Sequence, residues 1–256
     1  MMDAMDSYYN FSYVYDLFMD ETPYDTWTKN VINLLADYGL KEGMLVELGC
    51  GTGQMTKRLY DKGFSMIGVD LSEDMLTVAN GKNQPGDILY ICKDMRELEL
   101  HKTVNGFVSF CDSLNYIQTL DDLKQVFSNV SKYLGPGGMF VFDMNTPYKY
   151  ETLLADHIFS DTREEGSFIW ENEYDPNTRE NIYDLTLYIK GDVLYGDGNE
   201  SFFRFFETHI QHCYTEEEVK EALSFAGLSF IESIDADTME RLNETSERMY
   251  FVAKKN

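Results

Sequence analysis

The segment from Val46 to Gln54 constrains the fold more than any other part of the chain. Here Glu47-Leu-Gly49-Cys-Gly51-Thr-Gly53 follows a short apolar run, Met44 to Leu48, that reads as a buried strand, and leads into a helical pattern from about Gln54 to Asp61. Glycines at a strand-to-helix turn let the backbone approach a ligand and leave amide donors free at the helix start. The spacing is GxGxG, whereas dinucleotide loops use GxGxxG. An acid ahead of the first glycine disfavours a pyrophosphate and attracts an ammonium. Glu47 therefore argues against NAD and for a cofactor that carries an amino acid.

The rest of the chain repeats this strand, turn and helix rhythm. Trp27, Val31, Leu34, Leu35 and Tyr38 recur at helical spacing, with Gly39 as the stop. Strands are expected at Phe64 to Val69, Ile88 to Cys92, Gly106 to Phe110 and Met139 to Phe142. Helices are expected over Ser72 to Asn80 and along Leu120, Leu123, Phe127, Val130 and Leu134, the last ended by LGPGG. Such alternation predicts an α/β, Rossmann-like, mostly parallel sheet with helices on both faces. From Gly166 to Tyr214 the period changes to two, as in Tyr183, Leu185, Leu187 and Ile189, and the turns DPNT and GDGN separate three expected strands. This is an inserted antiparallel β cap at roughly 160–214 within a single domain spanning 1–256. A helix from about Thr215 and strands Ser229 to Ser233 and Arg248 to Ala253 close the chain.

Further acids fall where the strands of this pattern end. Asp70, in Ile67-Gly-Val-Asp70, is placed to accept both hydroxyls of a ribose in the crevice at the strand ends. Asp94, in Cys92-Lys-Asp94-Met95, suits an adenine amino group, with Met95 as apolar packing beside the ring. Asp70 has a second reading as a helix cap, although Ser72 fills that place better.

Charge narrows the partners. The 256 residues carry 21 Lys plus Arg against 45 Asp plus Glu, a formal charge of -24, which repels a phosphate backbone. Nucleic acid is not expected as a substrate, and the acidic excess reads mainly as a solvated surface. Cys50, Cys92, Cys111 and Cys213 lie far apart without a CxxC pair, so neither a disulfide framework nor a zinc site is expected, and no metal. This fits a reducing, cytoplasmic location. The first residues, MMDAMDSYYNFSYVYD, lack the basic and apolar regions of a signal peptide, and no apolar run reaches membrane-spanning length.

The ordered motifs VELGCGTGQ, GVDLS, KDMRE, FCDSLNYI and LGPGG resemble those of the class I S-adenosylmethionine-dependent methyltransferases, most closely from about Tyr24 to Asp143. DSLNY, the inserted strands and Glu207-Thr-His209-Ile-Gln211-His-Cys-Tyr214 resemble a bacterial branch with small-molecule substrates, many of whose members have arginine where this chain has His212. The resemblance implies S-adenosylmethionine as cofactor. It assigns Glu47, Gly49, Gly51 and Gly53 to the methionine moiety, Asp70 to the ribose, Asp94 and Met95 to the adenine, and Cys111 or Asp112 to the sulfonium side. Cys50 and Leu71 complete this implied set. The segment Tyr8 to Asp16 resembles the aromatic helix that covers the cofactor in related enzymes, its plainer reading being an amphipathic helix docked on the core.

The expected reaction is methyl transfer to a nitrogen, oxygen or sulfur of a small molecule under the cap, dominated by in-line placement. Should the acceptor have to lose a proton, Tyr8, Asp112 and His209 are the candidates. Asp112 and Asn115 have a plainer reading as turn residues, and Arg204, His209 and Gln211 as strand residues facing solvent or pairing across strands. Two alternatives stand beside this reading. An RNA or protein methyltransferase is disfavoured by charge and by Cys111-Asp-Ser-Leu-Asn115 in place of an NPPY-like element. A non-catalytic binding protein would use Phe202, Phe203, Phe205 and Phe206 for partner contact, with Phe203 and Phe205 as the outward rings. Whether the protein is a monomer or a homodimer is left open.

Overall fold

A computed structural model describes residues 12, 14–194 and 200–256. Its main sheet has seven strands: β1 (Met44–Leu48), β2 (Ser65–Asp70), β3 (Leu89–Cys92), β4 (Val104–Ser109), β5 (Leu134–Asn145), and two late strands, β10 (Leu228–Asp235) and β11 (Arg248–Lys255). The order is β10-β11-β5-β4-β1-β2-β3. Strands β1 to β5 pair in parallel, and β11 runs antiparallel to both β5 and β10. The chain runs outward from β1 to β3, then returns to the other side of β1 at β4. This reversal opens a crevice at the strand carboxyl ends, where α/β sheets bind ligands.

Burial on both faces follows from alternation along the strands. Val46, Leu48 and Phe107 pack with Leu123 and Phe127 of α5 (Leu120–Tyr133) and Val219 of α6 (Glu216–Phe225). Leu45, Met66 and Val141 face the other way, onto Trp27 and Leu35 of α2 (Tyr24–Asp37) and Leu59 of α3 (Gln54–Asp61). Helix α4 (Glu73–Gly81) is capped by the Ser72 side chain, and α6 begins with a capping box between Thr215 and Glu218. A short helix, α1 (Tyr15–Phe18), precedes α2.

Two expectations are corrected by the strand pairing. The fifth strand starts at Leu134, not Met139, because LGPGG does not simply end the helix. Val104 pairs with Leu134 and Gly106 with Met139, so the glycines form a bulge inside β5, with Gly137 at φ +74°. The antiparallel sheet has four strands in place of three: β6 (Ile158–Thr162), β7 (Gly166–Asp175), β8 (Glu180–Leu194) and β9 (Glu200–His212), in that order. Strand β6 is short and mostly exposed, so it carries no buried alternation to reveal it.

Register defines the cap's inner face. Phe168, Leu187 and Phe205 share one rung, Trp170, Leu185 and Glu207 the next, then Asn172, Tyr183 and His209. Asn115, fully buried, ties this sheet to the main one: its Nδ2 donates to the His212 carbonyl at 2.9 Å while its Oδ1 accepts from the Asn145 amide at 3.1 Å.

Candidate active site

A cavity of about 930 Å³ lies between the strand ends and the cap. The loop after β1 forms one wall. Gly49 and Cys50 donate their amides to the Val69 carbonyl at 2.8 and 3.0 Å, which folds the loop back over β2. Gly49, Gly51 and Gly53 all have positive φ, +67°, +52° and +76°, but the three do different work. A Cβ on Gly49 would sit 2.4 Å from the Cβ of Ser113, whereas one on Gly51 would meet nothing within 4 Å. Gly53 does not line the cavity. It caps α3 in a left-handed conformation, and a Cβ there would stand 2.6 Å from the Tyr90 hydroxyl. Gly49→Ala is therefore expected to destabilise the fold by more than about 2 kcal/mol, and Gly51→Ala by about 1–2 kcal/mol, from its φ alone. Thermal unfolding of the two variants checks the order.

Glu47 occupies a core position of β1, only 2 % exposed, between Gly68 and Val108 on the neighbouring strands. The Thr56 hydroxyl of α3 donates to its carboxylate. Burial, reinforced by the Asp70 and Asp143 charges, pushes its pKa up to about 8 against the pull of Thr56. Asp70 accepts the Gly51 amide at 2.7 Å and the Ser72 amide at 2.9 Å, so its carboxylate organises the glycine loop from the next strand. Burial raises its pKa above the usual carboxylate range despite these amides.

Beyond β3, Asp94 caps the turn Met95–Glu97 and pairs with the Arg96 guanidinium at 2.6 Å, which holds it below the usual carboxylate range against partial burial. Asn129 of α5 pins this turn through the Met95 and Arg96 carbonyls at 3.2 and 2.8 Å. Leu71, Asp94, Met95 and Cys50 all line the cavity.

A polar cluster of which sequence reasoning named Cys111, Asp112 and Gln211 but missed Asp143 and Arg248 lies at the other end. Cys111 and Asp112, after β4, adopt positive φ of 57° and 52°, a region L residues rarely occupy. Asp143 of β5, fully buried, accepts both their amides, at 3.1 and 2.8 Å. Arg248, the first residue of β11, bridges Asp143 at 2.8 Å and Asp112 at 2.6 Å while its guanidinium lies 5.2 Å from the Trp27 ring centroid. The other Asp112 oxygen accepts from Gln211 Nε2 at 2.7 Å, and Gln211 Oε1 accepts from Tyr150 at 2.7 Å and from Tyr183. Burial opposes the Asp112 charge, but Arg248, Lys149 and Gln211 outweigh it and hold the carboxyl below its ordinary range. With both oxygens engaged and its proton affinity lowered, Asp112 is a poor base. An arginine heading an apolar strand and an aspartate closing Phe140-Val-Phe-Asp143 are the available signals, but they lie 105 residues apart.

Cap residues supply the roof. His209 and Gln211 are buried and line the cavity, so of the plainer readings as solvent-facing or cross-strand residues the first fails for both; of the three residues so read, only Arg204 is exposed. His209 Nε2 lies 3.3 Å from Glu207 Oε2, and its ring meets Tyr116 edge-on at 6.0 Å. Phe205 packs against Val14, Leu185 and Leu187, while Phe202, Phe203 and Phe206 are exposed, so Phe203 and Phe205 are not an outward pair. His212 does not line the cavity and packs on Tyr214. Tyr8 lies outside the described residues. The nearby Tyr15, Phe18 and Met19 do line the cavity, and Asp16 accepts from Thr52 at 2.6 Å and Gln54 at 2.9 Å, which fastens α1 to the glycine loop. Among the described residues no helix is long and apolar enough to cross a membrane.

Comparison with known proteins agrees with this arrangement. Residues 45–138 match the family described as a methyltransferase domain. The chain is 36% identical over 253 residues to a Geobacillus sp. (strain WCH70) protein bearing the name "Putative methyltransferase", covering 97% of this chain and 100% of that one. It is 29% identical over 145 residues to the dTDP-3-amino-3,4,6-trideoxy-alpha-D-glucopyranose N,N-dimethyltransferase of Streptomyces venezuelae, 56% of this chain and 59% of that protein. The crystal structure of an S-adenosylmethionine-dependent methyltransferase from Clostridium acetobutylicum ATCC 824 superposes with a TM-score of 0.84 at 27% identity, covering 97% of this chain and 99% of that one. The glycine loop, the acids at consecutive strand ends and these likenesses converge, and the chain belongs to the class I S-adenosylmethionine-dependent methyltransferases.

Proposed function

We propose that the enzyme methylates a nitrogen, oxygen or sulfur atom of a small molecule held between the glycine loop and the cap. The observation that carries this reading is the roofed cavity. Its floor is the carboxyl edge of the main sheet, and its roof is Trp170, Tyr183, Leu185, His209 and Gln211 of the antiparallel sheet, a volume suited to a cofactor and a small acceptor. The formal charge of -24 disfavours a nucleic acid. The amino-sugar specificity in the name of the Streptomyces venezuelae relative supports the same class.

The residues fit the cofactor. Glu47 is a buried carboxylate beside a loop whose Gly51 leaves open space where a side chain would stand. It would hold the amino group, Asp70 the ribose, and Leu71, Asp94 and Met95 the adenine, with Cys50, Cys111 and the backbone of Asp112 along the sulfonium side. Bound S-adenosylmethionine supplies an electrophilic methyl with a good leaving group. The protein's share is then placement and exclusion of water. α1, tied to the loop through Asp16, covers one side, and the cap covers the other. His209, oriented by Glu207, is the group we assign to take a proton from an acceptor that must lose one.

The test is calorimetry with S-adenosylmethionine and S-adenosylhomocysteine, followed by transfer of labelled methyl to panels of small amines, thiols and carboxylic acids, and to bulk RNA, DNA and protein. Transfer is expected to small molecules only, with Asp70→Ala losing cofactor affinity and His209→Asn losing turnover. Label appearing in the macromolecules and in no small molecule would defeat the proposal.

A further inference from the structure

Among the described residues, four Lys and Arg side chains line the cavity: Lys93, Arg96, Lys149 and Arg248. Three are neutralised at close range. Lys93 lies 3.5 Å from Glu97, Arg96 pairs with Asp94 at 2.6 Å, and Arg248 bridges Asp112 and Asp143 at 2.6 and 2.8 Å. The Lys149 ammonium makes no hydrogen bond or direct ion pair among the described residues. Asp112, Glu247 and Asp143 attract it from a distance, and Arg248 repels it. Burial lowers its pKa from the ordinary lysine value. A partly buried cation without a partner is costly, and folds keep such groups where a ligand completes them.

Its place in the fold points the same way. Lys149 opens the π-helical turn Lys149–Leu154 that leaves β5, an irregularity common at functional sites. The adjoining Tyr150 belongs to the Gln211 and Asp112 network, and Leu154, Trp170 and Tyr183 supply apolar wall nearby. The strongest attraction on Lys149 comes from Asp112, whose carboxylate joins the Gln211 and Tyr150 network beneath the cap. The ammonium therefore belongs to the acceptor end of the cavity.

We propose that Lys149 anchors an anionic substituent, a carboxylate or a phosphate, on the methyl acceptor, whose body packs against Trp170 and Tyr183. The inference rests on reading this cavity as the methyl-transfer site. A single unpaired cation among the described residues of this cavity, in a chain of charge -24, suits one anionic group and no polyanion.

The chain has two tryptophans, Trp27 and Trp170, and both line the cavity, so intrinsic fluorescence reports on it directly. The full chain saturated with S-adenosylhomocysteine is titrated with succinate and, separately, inorganic phosphate at constant ionic strength. A saturable change is expected with at least one, and the tighter of the two identifies the acceptor's anion. Lys149→Met should weaken it by about tenfold or more, as expected for loss of a charge-assisted contact, and Lys149→Arg by about threefold or less. S-adenosylhomocysteine affinity should stay within about twofold in both, which also reports that the variants are folded. No saturable response of the wild type to either anion, or an unchanged response in Lys149→Met, overturns the proposal. So does loss of S-adenosylhomocysteine binding in Lys149→Met, which would assign the ammonium to the cofactor's own carboxylate. Absence of S-adenosylhomocysteine binding in the wild type counts against the cavity reading itself, and the proposal falls with it.

Discussion

Glu47→Gln is expected to stabilise the free protein at pH 8 and to weaken its binding of S-adenosylmethionine about 10- to 100-fold. The buried Glu47 carboxyl has a pKa pushed up to about 8 from 4.5. A group whose folded pKa is raised contributes stability that is full below the unfolded value and is lost as pH rises through the folded one. The fold thus loses about 3–5 kcal/mol through Glu47 between roughly pH 4.5 and pH 8. Glutamine keeps an oxygen for the Thr56 hydroxyl and never ionises, so the variant escapes this loss. The melting-temperature gap between variant and wild type should be small at pH 5 and widen to pH 8. Binding carries the opposite sign. An ammonium ligand favours the ionised carboxylate, so wild-type affinity should tighten by up to about tenfold per pH unit as pH rises toward 8, with release of a proton, while the variant loses this slope. Calorimetry in buffers of different ionisation enthalpy measures that proton. If wild type and variant show the same pH slope of affinity and parallel melting curves, Glu47 does not meet the amino group.

Glu47 is legible in the amino-acid sequence alone, because a charged side chain interrupts an apolar strand run ahead of glycines, a local conflict that points to a ligand. The helix at Trp27 to Tyr38 and the strand alternation are equally local. The cap is legible as a change of period from about Gly166, but which of its faces is buried is not. Four phenylalanines in five positions from Phe202 to Phe206 carry no parity signal. Docking onto the main sheet turns Phe205, Glu207, His209 and Gln211 inward. His209 and Gln211 have a plainer reading as strand residues facing solvent or pairing across strands because a polar side chain against a polar cavity has the same local pattern. Gly53 illustrates the reverse: its place in the motif suggests ligand contact, whereas its surroundings, Tyr90 and Ala79, are those of a packing glycine.

Arg248 is marked only as a charge heading an apolar strand, with nothing to name a partner 105 residues away, yet its removal should cost the fold more than any other loss of a side chain. Asp143 holds Cys111 and Asp112 in left-handed conformations that cost roughly 1–2 kcal/mol each, and Arg248 is the charge partner that makes the buried Asp143 and half-buried Asp112 carboxylates tolerable side by side. Arg248→Met leaves both without it. The expected cost is about 3–5 kcal/mol, a fall in melting temperature on the order of 6–20 °C for a domain of this size. Lost packing on Trp27 is the competing explanation, and pH separates the two. Without the guanidinium the pKa values of Asp112 and Asp143 rise, so their charged forms destabilise the fold increasingly as pH climbs past the unfolded value near 4. The deficit of Arg248→Met should therefore be smaller at pH 5 than at pH 8. Adding Asp143→Asn, which removes one of the stranded charges, should recover part of it, a non-additivity expected only of directly coupled groups. A deficit equal at both pH values and additive with Asp143→Asn would assign the loss to packing and leave the strained Cys111–Asp112 wall without an electrostatic support.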